Sequence, residues 1–105
     1  MKTDISFNQP ALPYENIPYL IRTISPLVQE KRFLSAFAAI EYAFRKNIIS
    51  TAQYYYWVGV VYEAEGNFPT ALRSIELAMI LSPTNTALNE IKNRIITQLY
   101  NPLNR

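Results

Sequence analysis

The side chains able to do acid–base, nucleophilic or metal chemistry are few and poorly spaced. There is no His and no Cys, which removes the commonest general base, the commonest metal ligand, thiol nucleophiles, thiolate ligands and disulfides together. What remains is seven Glu, one Asp near the N-terminus and hydroxyl groups. Glu63 and Glu65 lie two apart on a helical pattern and so point to different faces, which keeps them from converging on a substrate. Glu41 and Glu76 read as solvated helix charges near Arg45 and Arg73. The only glycines are Gly59 and Gly66, too few for a phosphate-cradling loop. The inventory predicts a non-enzymatic chain with no catalytic residue, no metal and no cofactor.

What must position these side chains is one domain. A length of 105 residues supports a single core and not two. Half of the residues are apolar and 13% are aromatic, with eight Tyr, five Phe and one Trp, so the chain is expected to fold. Only 17% are charged, which leaves little polar surface to cover such a core and predicts apolar surface that meets a partner. The net charge of +2 comes from isolated pairs, Lys31-Arg32 and Arg45-Lys46. They do not form the stripe that follows a phosphate backbone, and they read as solvated helix ends, so nucleic-acid binding is not expected. Met1 to Pro13 lacks the charged start and apolar run of a secretory signal. The longest apolar stretch, Tyr54 to Tyr62, is less than half a membrane span. The expectation is a cytoplasmic protein with no membrane insertion.

An internal repeat sets the fold. The pattern F-x-x-A-x-x-x-I-E-x-A occurs at Phe33, Ala36, Ile40, Glu41 and Ala43, and again at Phe68, Ala71, Ile75, Glu76 and Ala78, each pair offset by 35 residues. Both copies place apolar residues at helical spacing and small Ala residues where a neighbouring helix can approach closely. The same offset carries Leu20, Thr23 and Leu27 onto Tyr55, Val58 and Tyr62, so the unit is a helix pair used twice. In the second unit, Gly66 suits a left-handed C-cap, Asn67 or Phe68 starts the next helix, and Pro69 sits in its first turn. Ser82-Pro83 ends that helix, and Thr84 to Thr86 offer caps for another. Leu88, Ile91, Ile95 and Leu99 share one face of a last helix.

Residues 52–85 resemble one tetratricopeptide repeat in almost every signature position: Tyr55, Val58-Gly59, Tyr62, Gly66, Phe68, Ala71, Ile75, Ala78 and Pro83. The preceding unit, 17–51, is similar but degenerate. There Ile24 replaces the small residue and is expected to push the pair apart, Lys31 replaces the turn glycine, and no proline closes the unit. Pro26 is expected to kink its helix or end it early. The resemblance implies an all-α protein with antiparallel helix pairs in a short right-handed superhelix and a C-terminal capping helix. Five helices are expected at about 17–29, 33–47, 52–65, 68–81 and 86–100. Residues 1–16 are expected to form an extended arm and 101–105 a tail. Two units and a cap are few for such a stack, which the arm, self-association or a partner would complete.

The run Tyr54-Tyr55-Tyr56-Trp57 reaches all sides of a helix, because successive positions turn by about 100°. Tyr55 and Tyr62 belong to the expected core face, and Trp57 with Val61 is expected to pack on the capping helix. In proteins of the resembled family, the first helix of each unit lines a concave groove that binds peptides or helices. The matching positions here are Tyr56, Val60 and Glu63, then Ile21, Ser25 and Val28 in the first unit, with Asn89 and Asn93 continuing the groove on the last helix. Repeats that capture a partner's C-terminal carboxylate place Lys, Arg and Asn in that groove. This apolar lining instead suits an amphipathic helix or apolar segment of another protein. The resulting reading is a small chaperone or adaptor. In size and architecture the chain looks like the co-chaperones of bacterial type III secretion needle subunits. The alternative is a structural or assembly subunit that self-associates, for instance as a homodimer, or sits permanently in a larger complex.

Overall fold

The structure is a computed structural model that describes residues 18–101; the expected arm and all but the first residue of the tail lie outside that range. The described residues are all helical, with no strand among them: α1 (Pro18–Gln29), α2 (Phe33–Arg45), α3 (Thr51–Glu65), α4 (Phe68–Leu81) and α5 (Ala87–Leu99). Extensive contact runs between helices consecutive in the chain, most of all between α3 and α4. Such sequential packing is what a stack of helix pairs requires.

The duplicated pattern is the buried face. Ala36, Ile40 and Ala43 of α2 and Ala71, Ile75 and Ala78 of α4 are all fully buried. Burying each Ile is worth about 1.5–3 kcal/mol, while the Ala positions let the neighbouring helix come close. Gly59 of α3 does the same from the other side. A Cβ built there would lie 2.8 Å from Ile75 Cδ1 and 3.3 Å from the Ala71 carbonyl oxygen. Its counterpart in the first unit, Ile24, is instead a core residue packed in one cluster with Trp57, Val61 and Ile40.

Helix ends follow local chemistry. Ser50 and Gln53 form a capping box, with the Gln53 N–H donating to Ser50 Oγ at 3.2 Å and the Ser50 N–H donating to Gln53 Oε1 at 2.7 Å. Asn67 caps α4 by accepting from the Thr70 N–H at 3.4 Å, and Pro69 occupies the first turn, where no N–H is needed. Asn85, not a threonine side chain, receives the Ala87 N–H before α5, at 3.2 Å.

Three helices finish on a residue in the left-handed region: Lys31 at φ 61°, Asn47 at φ 60° and Gly66 at φ 90°. In each, two backbone N–H groups turn back to the last carbonyls, as in Arg32 to Leu27 at 2.7 Å, Ile48 to Ala43 at 2.8 Å and Asn67 to Tyr62 at 2.9 Å. Lys31 therefore keeps the conformation of Gly66, 35 residues on, although it carries a Cβ. Asn47 stops α2 at Arg45, two residues short of the expected 47. Pro26 does not end α1 early; the helix runs on to Gln29, and the Glu30 N–H still donates to the Pro26 carbonyl at 3.0 Å. Arg22, whose carbonyl loses its partner to the proline ring, is exposed and can be solvated there.

The central helix explains the aromatic run. From Ala52 to Glu63 every residue of α3 is buried or half-buried, as expected of a helix with neighbours on all sides. Tyr54 turns to α2, where its ring lies 4.7 Å from Phe44 and its hydroxyl donates to Glu41 at 3.3 Å. Tyr62 meets Phe37 at 4.8 Å between ring centroids. Trp57 and Val61 pack into the cluster formed by Leu20, Ile24 and Ile40, so they face the first helix pair and not the capping helix. Tyr55 and Tyr62 lie on the core face expected of them, against α4 and α5, and Tyr56 packs beside them. The capping helix buries Leu88 and Ile95 and half-buries Ile91 and Leu99.

Candidate functional site

Between α1 and α3 the surface opens into a cleft of about 160 Å³ lined by Ile24, Ser25, Val28, Gln29, Trp57 and Val60. Trp57 packs in one cluster with Ile24 and Leu20 of α1, and the shorter Ser25, Val28 and Val60 line the space beside it. Trp57 is only 6% exposed, and its indole N–H has no acceptor among the described residues. A buried donor without a partner costs about 1–3 kcal/mol. The Tyr56 ring stands edge-on to the indole at 5.2 Å. The cleft is thus apolar, with one orphan donor in its wall and two polar side chains, Ser25 and Gln29, at its edge.

The structure divides the expected groove. Ser25, Val28 and Val60 line the cleft together. Ile21 packs against the core beside it. Tyr56 is half-buried and packs against the clusters of both helix pairs and of the capping helix, so it is a packing residue and not the open binding residue expected from its register. Glu63 is drawn away from the groove altogether. Both its oxygens accept from Arg94 of α5, from Nε and Nη2 at 2.7 Å each, and Gln98 Nε2 adds a third bond at 3.0 Å. This side chain is 13% exposed. The Glu63 hydrogen bond raises the Arg94 pKa above its ordinary value, against the opposing effect of burial. Asn89 and Asn93 are exposed on α5 and do not line the cleft; the Asn93 carbonyl accepts the Thr97 hydroxyl at 2.9 Å.

Two other carboxylates are likewise paired. Glu41 accepts from Tyr54 and lies 3.8 Å from Arg45. Burial, then the charge and hydrogen bond of Glu41, raise the Tyr54 pKa above 10.0. Glu76 pairs with Lys92 of α5 at 3.6 Å and not with Arg73 as its spacing suggested, because α5 brings the lysine to it.

Three residues of the site escaped the sequence reading in their present role; Ile24 was expected only to push its helix pair apart. Gln29 lies one position beyond the expected stripe, and Trp57 was set on the opposite side of α3. The signal that could have placed Trp57 is the size of Ile24: a bulky residue where Gly59 stands in the next unit leaves room beside it that an indole can reach. No family model, curated protein or solved structure matches the chain.

Proposed function

We propose that this chain is a non-enzymatic protein-binding module of the tetratricopeptide-repeat type, a small chaperone or adaptor that takes an apolar side chain of a partner's amphipathic helix into the cleft between α1 and α3. The observation that carries the reading is the cleft itself: four apolar walls, Ile24, Val28, Trp57 and Val60, that the described residues leave uncovered. The chemistry available beside it supports binding and not turnover. The half-buried carboxylate of Glu63 is held by Arg94 and Gln98, and that of Glu41 by Tyr54 and Arg45, so neither is poised to move a proton. An occupant that buries one large side chain here gains about 1.5–3 kcal/mol before ordering costs. The likeness in size to secretion-needle co-chaperones makes a helical subunit that must be shielded before assembly the kind of partner to look for, in the cytoplasm.

The test places a photo-crosslinking side chain at Gln29, on the edge of the cleft, and recovers the attached protein from source cells. That protein is then titrated against wild type and Val60→Asp. A charge in the cleft is desolvated without a partner, so affinity should fall at least tenfold while circular dichroism is unchanged. Unaltered affinity in a folded Val60→Asp chain sinks the reading.

A second reading has its own support. Large apolar side chains stand exposed on α2 and α4: Leu34 at 86%, Ile80 at 72%, and Leu81, Tyr42 and Leu77 beside them in the sequence pattern. These are the second helices of the two pairs, and a self-associating or permanently assembled subunit would use them. A concentration series in light scattering separates the two, since association through α2 and α4 survives Val60→Asp and is lost in Leu77→Glu with Ile80→Glu.

A further inference from the structure

The second helices of the two pairs keep apolar side chains that the described residues leave uncovered, and the charges beside them say what kind of partner fits. On α4, Leu77, Ile80 and Leu81 are exposed at the three- and four-residue spacing of helix ridges. On α2, Leu34 and Tyr42 are exposed, and the 35-residue offset sets Tyr42 on Leu77. Each of these equivalent positions has a cation one helical turn away. Arg73 precedes Leu77 by about 6 Å along the axis; it is exposed and makes no ion pair or hydrogen bond among the described residues. Lys46 follows Tyr42, its ammonium 5.8 Å from the ring centroid, with no carboxylate at ion-pair distance among the described residues. The acids of the two helices are already answered, since Glu41 lies 3.8 Å from Arg45 and Glu76 lies 3.6 Å from Lys92 of α5. What the face presents is apolar ridge and uncompensated positive charge.

We propose that the exposed face of α4 docks an acidic amphipathic helix of another protein, whose apolar stripe covers Leu77, Ile80 and Leu81 and whose carboxylate, about one turn beyond that stripe, pairs with Arg73. The proposal gives a partner to the face of the second reading and does not depend on the cleft. Charge complementarity selects this occupant. A second copy docked face to face brings the same excess of cations from both sides, and like charges across an interface work against the pairing. An anionic bilayer is held by clusters of about four to eight Lys or Arg, whereas these two helices offer Arg45, Lys46 and Arg73. A helical partner needs only apolar anchors at i, i+3 and i+7 and an acid placed to meet Arg73, with which it forms a charge-assisted hydrogen bond.

The probe is a library of helical peptides with Leu fixed at i, i+3, i+4 and i+7 and Glu, Lys, Gln or Ser at the flanking positions, selected against the full-length chain. Glu should outnumber Lys at the flanks at least fivefold among the recovered peptides. A labelled acidic winner, titrated by fluorescence anisotropy, should bind Leu77→Ser with Ile80→Ser at least tenfold more weakly than wild type, with circular dichroism unchanged because both side chains are exposed. Its affinity should fall at least threefold in Arg73→Glu and fall again as salt is raised, and exchanging its Glu for Lys should restore binding to Arg73→Glu. Val60→Asp should leave all of these values as they are. No excess of Glu, or a winner indifferent to the α4 changes, overturns the proposal. So does binding that Val60→Asp abolishes and the α4 changes spare, which would place the helix in the cleft and leave that reading standing. A concentration-dependent doubling of mass that Leu77→Ser with Ile80→Ser removes would make a second copy the occupant, and phosphatidylserine vesicles bound through the same residues in place of the peptides would make it a lipid surface; either result refutes the acidic helix.

Discussion

Gly59 is where the close approach of α3 and α4 can be tested with a single carbon. A Cβ at this position would meet Ile75 Cδ1 at 2.8 Å, Ile75 Cγ1 at 3.0 Å and the Ala71 carbonyl oxygen at 3.3 Å. The isoleucine is fully buried, so its tip can yield only by leaving its rotamer, at about 0.5–1.5 kcal/mol. Against this, alanine favours the helix over glycine by about 0.8–1.0 kcal/mol. Gly59→Ala should therefore change stability by no more than about 1 kcal/mol in either direction. Gly59→Leu adds three more carbons that cannot pass the Ala71 carbonyl without separating the helices, and overpacking of this kind costs about 1–3 kcal/mol. Urea unfolding followed by far-ultraviolet circular dichroism measures both. The decisive comparison adds Ile75→Val, which deletes the Cδ1 atom nearest the new side chain: with it, Gly59→Ala should turn stabilising, and the two changes should be coupled by more than about 0.5 kcal/mol. A Gly59→Leu chain with the wild-type midpoint, or additive effects of Gly59→Ala and Ile75→Val, would refute the register assigned to the repeat.

Other substitutions address the helix ends and the ion pairs. Lys31 holds φ 61°, a conformation that costs a side-chain-bearing residue about 1–2 kcal/mol, so Lys31→Gly should raise the melting temperature by about 4–8 °C, part of the gain being offset by the freer unfolded chain. Gly66→Ala should lower it by a comparable amount. Glu63→Gln breaks the paired bonds from Arg94 at a mostly buried carboxylate, and should cost about 1–2 kcal/mol, with amide exchange accelerating in α5 more than in α1. Tyr54 has a pKa raised above 10.0 by burial and by Glu41. The fold thus favours its neutral form, and the stability this gives is present below about pH 10 and lost as pH rises through the folded value. Tyr54→Phe should flatten the alkaline decline, read by melts between about pH 9 and 12.

The second helix pair was legible because its positions are set by local chemistry and by a repeated period. Ala71, Ile75, Ala78, Gly66, Asn67 and Pro69 each do in the structure what their residue type requires, and Ala36, Ile40 and Ala43 follow by the 35-residue offset. The α2 terminus and the pairing of Glu76 were not legible. One depends on Asn47 adopting a left-handed conformation, the other on which side chain of α5 comes near. The lining of the cleft was legible in part, since the stripe contains Ser25, Val28 and Val60 but could not reveal that Glu63 bonds to Arg94 or that Tyr56 packs against α4 and α5. Helical periodicity orders the side chains around one helix; which helix each face meets is decided by packing between helices far apart in sequence. Trp57 illustrates the same limit, as its period fits either neighbour of α3.

The 35-residue offset that relates the two units also explains why two equivalent seams close differently. Ile21, Ser25 and Val28 of α1 correspond to Tyr56, Val60 and Glu63 of α3. On α3 two members of this stripe are answered by α5: Tyr56 packs into the clusters of Leu88 and Ile95, and Glu63 is closed by Arg94 and Gln98. On α1 the equivalent of Glu63 is Val28, which has no charge with which to draw a partner across. The helix facing it offers Trp57 and Val60, one side chain too large to seat flat and one too short to fill the remaining space. The α3–α5 seam is therefore held by directional bonds that stabilise the end of the stack, whereas the α1–α3 seam is held by apolar packing of Trp57 and Val61 with Leu20 and Ile24. A binding surface placed there can change occupants without breaking any of the hydrogen bonds that tie the capping helix down.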